Sequence, residues 1–376
     1  MATHTRSITS EEFTKHLDNL SPEATQTLIE QTKSEIALPE DAKDEDILVF
    51  IKAWVALSPK INDMFIAMCQ GPLISMLSLM SARSLKPSIN TDTGEVVITG
   101  VDFTLFMDKY SAFGTSVKKT LAIATIYLTN QNRYKNRKAI KTDVSIPFNE
   151  YIRWRNIPET KPSIDKARRV LKEDLDTLFG SAVEWTERSG GEIKDYDKTR
   201  LISRHYIKKG IIFIRFTPEF AEYLINAYVM KFAITLLQID ERNPNTYNIG
   251  YKLLLHYGMD NNRIRGTHDI ISIKKLLEAC PDIPTEKEVM SKDRATSRNI
   301  TEPLFNALNI LVDIGFLEEY ELTKAKRTPL DTYDNMDGSE TIPYKDIKNL
   351  YLIFKIKDFP DQTARIKAKK EKKQRL

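Results

Sequence analysis

Cysteine is scarce in this chain: Cys69 and Cys280 are its two thiols, far apart in sequence and outside any CxxC pair. That argues against a disulfide framework or a zinc site built on paired thiolates, and it fits a reducing cytoplasm. Histidine is scarce too. His4, His16, His205, His256 and His268 are scattered, with no His-x-His or HExxH pair to hold a catalytic metal. There is no G-x-x-x-x-G-K-[ST] loop, so the nucleotide hydrolysis that such a loop supports is not expected. A nucleophilic tyrosine would need an activating partner that the pattern does not supply. The opening residues, MATHTRSITSEEF, lack an apolar core and do not read as a signal peptide. Met64–Ala82 holds nineteen residues without a charge, but Gln70, Gly71–Pro72 and three serines interrupt it. It reads as a buried helix pair broken at Gly71–Pro72 rather than as a membrane span.

What is present is a chain of 376 residues, long enough for two or three domains with their own cores. Its net charge of +4 is small, but the charge is unevenly spread. Residues 1–50 carry four Lys/Arg against eleven Asp/Glu, residues 131–210 nineteen against twelve, and residues 361–376 seven against two. A basic middle and tail behind an acidic leader is the footprint of a polyanion binder; two solvated basic faces would give the same count.

A repeat organises the middle of the chain. The first copy reads PSIDKARRVLKEDLDTLF, then AVEWTE, a polar stretch, and IIFIRF at Ile211–Phe216; the second reads SRNITEPLFNALNILVDI, then FLEEYEL, a polar stretch, and LYLIFKI at Leu350–Ile356. Helix, strand, long polar hairpin and apolar strand are the second half of a winged helix. Thr115–Asn130, with Val117, Leu121, Ala124 and Leu128 on one face, reads as a buried scaffold helix. Tyr151, Trp154 and Ile157 read as core on a helix capped by Asn149. Ile164, Ala167, Leu171, Leu175 and Leu178 form the stripe of a helix stopped by Gly180. Pro218–Met230 reads as a linking helix. In the second copy, Asn245–Tyr257 is a helix closed by Gly258, and Leu304, Leu308 and Leu311 form the stripe of a helix capped by Thr301 and ended by Gly315.

The expected fold is therefore α+β and helix-rich: tandem winged-helix domains behind an α-helical N-terminal region. Residues 1–95 form that region, 96–230 the first winged helix, 231–360 the second, and 361–376 a basic tail. The third helix of such a domain lies in the major groove. Arg168 and Arg169, and Arg298, Asn299 and Ser297, are residue types that reach base edges. Lys166, Lys172, Lys292 and Arg294 suit phosphates. The expected wings carry Lys194, Lys198, Arg200, Arg204, Lys208 and Lys209 in the first copy, and Lys324, Lys326 and Arg327 in the second. Asp174 and Asp176 are read as shaping the exposed face of the first third helix. No cofactor and no metal are expected.

KFAITLLQIDERNPNTYNIGYKLLLHYG, ISIKKLLEACPDIP, ITEPLFNALNILVDIGFLEEYEL and YLIFKIKDFP together resemble the second winged helix of plasmid replication initiators of the Rep3 and RepA-like group. The early proline in Thr301–Glu302–Pro303–Leu304 is part of that likeness. VDFTLFMDKYSAFGTSVKKTLAIATIYLTN is similar to the opening of the preceding module. The resemblance covers roughly residues 95–360; residues 1–90 match nothing in it. It implies a sequence-specific double-stranded DNA-binding initiator, not an enzyme. Such a protein binds repeated sites (iterons) at the origin of a plasmid or mobile element, opens adjacent DNA, and recruits a host helicase or its loader. It also implies a homodimer. A winged-helix transcriptional regulator and a protein-binding scaffold are the alternatives: iterons beside the gene favour the first reading, a lone inverted repeat the second, and salt-dependent duplex binding excludes the third.

Overall fold

The computed structural model describes residues 65–79, 87–89, 95–99, 103–107, 113–132, 140–189, 192–292, 295–324 and 347–360. The helices expected before residue 60, the turn at Thr91–Gly94, most of the basic loop after Asn132, and the tail lie outside these residues.

The first winged helix is built on α2, Thr115–Asn132, which follows the short helix α1, Pro72–Ser78. The expected stripe of Val117, Leu121, Ala124 and Leu128 is buried, and so are Lys118, Lys119, Thr120 and Ile123 on its flanks. A helix enclosed on several sides has little need of a polar face. Strand β5 (Asp143–Pro147), α3 (Phe148–Trp154) and α4 (Lys161–Gly180) follow. Tyr151 and Trp154 are core residues. Asn149 is not the cap of α3, since the helix begins at Phe148 behind Pro147. Gly180 is the last helical residue of α4 and Ser181 beyond it is extended, so no left-handed residue stops that helix.

After α4 the chain makes two hairpins, not one. Strands β6 (Ala182–Ser189) and β7 (Glu192–Arg200) join β2 (Ser88–Ile89), β3 (Val96–Thr99) and β4 (Phe103–Met107) in a five-stranded antiparallel sheet ordered β2-β3-β4-β6-β7. The chain then leaves that sheet at the buried Leu201 and forms β8 (Ile202–Lys208) and β9 (Ile211–Phe216), which with β5 make a three-stranded sheet ordered β5-β9-β8. The wing is thus β8–β9, turning through Lys209 and Gly210 at φ of 49° and 73°. Positive φ at both turn residues is the geometry that matches strand twist across a tight hairpin. The sequence reading paired Ala182 onward with Ile211–Phe216 because β8 exposes Arg204, Tyr206 and Lys208 and so looks like loop.

Two further expectations are corrected by one pairing. Phe65–Gln70 is strand β1, not helix, and Tyr228–Ala233 is strand β10, so the linking helix, α5, is Pro218–Asn226. The two strands pair antiparallel, with Ile66 opposite Phe232 and Met68 opposite Met230. All six residues of β1 are buried, and a strand covered on both faces has the same apolar run as a buried helix.

The second winged helix repeats the plan. After a 3-10 turn at Ile234–Gln238 come α6 (Pro244–Gly258), α7 (Asp260–Ile264), β11 (Ile270–Ser272), α8 (Ile273–Ala279), α9 (Glu286–Met290), α10 (Glu302–Asp313), β12 (Leu317–Thr323) and β13 (Tyr351–Ile356). Its sheet is ordered β11-β13-β12, the counterpart of β5-β9-β8. Gly315, at φ 72°, ends α10, with Phe316 N–H donating back to the Leu311 carbonyl at 2.9 Å.

Candidate nucleic-acid interface

The stripe of α4 sets its outer face. Ala167, Leu171, Leu175 and Leu178 are buried, and Lys166, Arg168, Arg169 and Lys172 are exposed. Arg168 lies 3.9 Å from Asp165 one turn back, with its guanidinium 5.2 Å from the centre of the Phe148 ring. A cleft of about 550 Å³ separates α4 from the wing, bounded by Phe148, Arg168, Lys172, Tyr206, Lys208 and Lys209. On the wing, Tyr206 stacks on Phe213 at 4.6 Å with Arg204 5.4 Å from the Tyr206 ring. Arg215 grips Asp143 through two hydrogen bonds of 2.6 and 2.7 Å, which hold that carboxyl below its ordinary range.

Lys198 and Arg200 are not on the wing. Both sit on β7 of the five-stranded sheet: Lys198 caps the Phe106 ring at 3.5 Å and reaches Glu95 at 3.7 Å, and Arg200 covers Phe179 at 4.5 Å. Lys194 also belongs to β7. Charge alone could not separate a wing from an inserted hairpin.

In the second module, Leu304, Leu308 and Leu311 are fully buried, and the helix reaches further back than α10 itself. Ser297–Thr301 form a widened π turn, in which Glu302 N–H donates to the Ser297 carbonyl five residues earlier. Pro303 explains it: without an N–H it cannot bond the Asn299 carbonyl, and its ring crowds that oxygen. Thr301 is therefore inside the helix and buried, not its cap. Arg298 is exposed on this turn, and Ser297 and Asn299 are half-buried, with Asn299 Nδ2 held by the Ala295 carbonyl at 2.8 Å. Lys292 is exposed before the turn, and Lys324 is exposed just past β12. Arg294, Lys326 and Arg327 lie outside the described residues.

Sequence reasoning missed a buried polar seam behind both third helices. Asp174 does not shape the exposed face of α4; it is buried and accepts 2.7 Å hydrogen bonds from Ser116 and Thr120, with Arg155 at 3.9 Å. Burial pushes its pKa up to about 6 against those bonds. Asp176 does stay exposed, 3.3 Å from His205. Lys119 donates to the Ile239 carbonyl and to Glu241, which also holds Arg155. Burial pushes Lys118 down to about 7 and Lys119 to about 8, with Asp282 and Glu241 respectively opposing. Lysine positions on a helix carry no mark of burial, so no sequence signal pointed here.

Among the described residues no group of His, Cys, Asp and Glu is placed to hold a metal ion, and no helix is long and apolar enough to cross a membrane. No curated protein matches the chain. Two crystal structures of domains 2 and 3 of RctB align with it. The selenomethionine derivative gives a TM-score of 0.40 at 12% identity, over 76% of this chain and 99% of that one. The other gives 0.39 at 11% identity, over 75% and 96%. The family model described as initiator replication protein, WH1, matches residues 96–243, a span that runs from β3 through α2, α4 and the β8–β9 wing to the start of the second module. Over residues 96–243, then, the chain is similar to the first winged helix of replication initiator proteins.

Proposed function

We propose that the protein binds double-stranded DNA at repeated sites of a replication origin, one groove taking α4 and another the Ser297–Thr301 turn that leads into α10. The observation that carries this reading is the duplication: two third helices, each anchored by three fully buried leucines, each presenting arginine outward. Arg168, Arg169 and Arg298 are the base-reading candidates, joined by Ser297 and Asn299 through its remaining oxygen. Lys166, Lys172, Lys292, Lys324 and the neighbouring Arg294, Lys326 and Arg327 would hold phosphates. Lys198 and Arg200, remote from the wing, would serve only at the edge of such a contact. The work is binding energy used to deform duplex, with no covalent step; a substantial bend costs roughly 1–6 kcal/mol. A homodimer and a host helicase or its loader are the partners this reading implies.

Footprinting of the purified protein on DNA flanking its own gene tests it. Protection of direct repeats is expected, and salt should weaken it steeply. Protection of a single inverted repeat at a promoter would replace this reading with a transcriptional regulator.

A further inference from the structure

We propose that the second module carries a seat for a backbone phosphate, formed by Arg265 and Lys275, with Lys252 behind them, at the corner where α6, the α7–β11 turn and α8 meet. The proposal rests on the duplex-binding reading above and adds a contact outside both third helices.

The corner is a cleft of about 600 Å³, walled by His256, Asn262, Arg265, Thr267, Lys275 and Tyr351. Its walls are fixed by the fold. His256 Nε2 bonds the Thr267 and Ile270 carbonyls at 2.9 and 2.8 Å, and Asn262 Nδ2 reaches His256 Nδ1 at 3.1 Å and the His256 carbonyl at 2.9 Å. Gly266, at φ 67°, lets the chain double back between Arg265 and Thr267. The imidazole is thus spent on the turn, and the cations are what remains to meet a ligand.

Lys252 lies one helical turn before His256 on α6, on the same face. Arg265 and Lys275 are exposed, and no described carboxylate forms an ion pair with any of the three. Two other lysines of this module do meet carboxylates: Lys348 reaches Glu286 at 3.1 Å and Lys355 reaches Glu318 at 2.8 Å. Burial, then the charge of Lys275, lowers the pKa of half-buried Lys252, with Glu278 opposing; burial, then Lys275 and Lys252, lowers that of His256 against two backbone bonds. The cluster is a set of like charges held close together, and an anion between them would relieve the repulsion.

The position of the corner says which anion. Ser272 pairs with Tyr351 where β11 passes into α8 beside the start of β13. In the first module the same step, β5 into α3 beside the start of β9, pairs Pro147 with Ile211. There too the adjoining cleft is basic, with Arg168, Lys172, Lys208 and Lys209 around Phe148 and Gly210. Both corners lie where the strand returning from the wing meets the second helix. A duplex held by a third helix runs its phosphate backbone past the helix that precedes it. The shared chemistry is a phosphate group, and the duplicated placement favours the phosphodiester of bound DNA over a free ion.

The test uses the full chain, its own flanking DNA and the double variant Arg265→Ala/Lys275→Ala, with thermal melting to show that removing two exposed side chains leaves the fold intact. Each phosphate contact contributes about 0.9 to the slope of log affinity against log salt. The variant's slope should therefore be shallower by about one, with equal losses on specific and random duplex and an unchanged footprint. A wild-type slope in the variant overturns the proposal while leaving the broader reading standing. Absence of salt-dependent duplex binding by the unaltered protein removes both. Titration with inorganic phosphate at constant ionic strength separates the two sources. If the ion binds the unaltered protein and not the variant while the DNA slope stays the same, the corner is a free-anion site and the DNA assignment falls.

Discussion

Lys118 Nζ lies 2.9 Å from Asn248 Oδ1, so the first helix of one winged helix is hydrogen-bonded to the first helix of the other through two buried side chains. Asn248 passes the contact on, donating from Nδ2 to the Ala279 carbonyl at the end of α8 at 2.9 Å. Beside it, Lys119 and Arg155 meet on Glu241 of the connecting segment. The two winged helices are therefore joined through buried Lys118, Lys119, Arg155 and Asn248, with Glu241 at the exposed edge of the contact.

Asn248→Ala strips partners from the Lys118 ammonium and the Ala279 carbonyl. Taking a hydrogen bond from buried polar groups costs about 1–3 kcal/mol, read as a lower melting temperature. Lys118→Met combined with Asn248→Leu should recover much of that loss, because an apolar pair of similar volume needs no partner. A single variant that melts like the unaltered protein would show that the seam holds nothing together.

The seam also sets a pH dependence with two limbs. Asp174, raised from 3.8 to about 6, keeps its proton in the folded chain over that window, so its contribution is fullest below 3.8 and is lost as pH rises through 6. Lys118, lowered from 10.5 to about 7, releases its proton in the folded chain first; the unfolded chain binds more protons between 7 and 10.5, and stability rises with pH there. Denaturant midpoints measured across pH should show both limbs. Asp174→Asn should flatten the acid limb and Lys118→Met the alkaline one.

A methyl group at Gly250 would meet Leu236 Cδ2 at 2.6 Å and Leu311 Cδ2 at 2.9 Å. Both leucines are fully buried, so α6, the 3-10 turn and α10 would have to shift together. Gly250→Ala should lower stability by roughly 1–3 kcal/mol despite the better helix propensity of alanine.

Pro303→Ala returns the N–H that the Asn299 carbonyl lacks. The π turn should then tighten toward a regular helix, turning Arg298 on the helix surface. Stability should hold or rise, while the preferred DNA sequence changes in a selection from random duplexes. An unaltered preference would show that the widened turn does not aim Arg298.

Arg298→Ala should cost about 1–3 kcal/mol on the specific site and little on random duplex, measured by competition binding. Equal losses on both would reassign Arg298 to phosphate.

The leucine spacings placed both third helices correctly, because a helix with one buried face must repeat its apolar residues every three or four positions, which on α4 leaves Lys166, Arg168, Arg169 and Lys172 on the outer face. Gly315 and the stripe of α6 were legible for the same local reason. Three things were not. Phe65–Gln70 and Tyr228–Ala233 became strands because they cover each other across more than 150 residues of sequence, and an apolar run does not say what will cover it. β6 and β7 left the wing for another sheet because β4 offered them an edge. Lys118, Lys119 and Asp174 went inside because partners arrived from distant segments to bond them. Periodicity reports that a face is buried; only the assembled chain decides against what, and that choice is what turns a surface-looking charge into the joint between two winged helices.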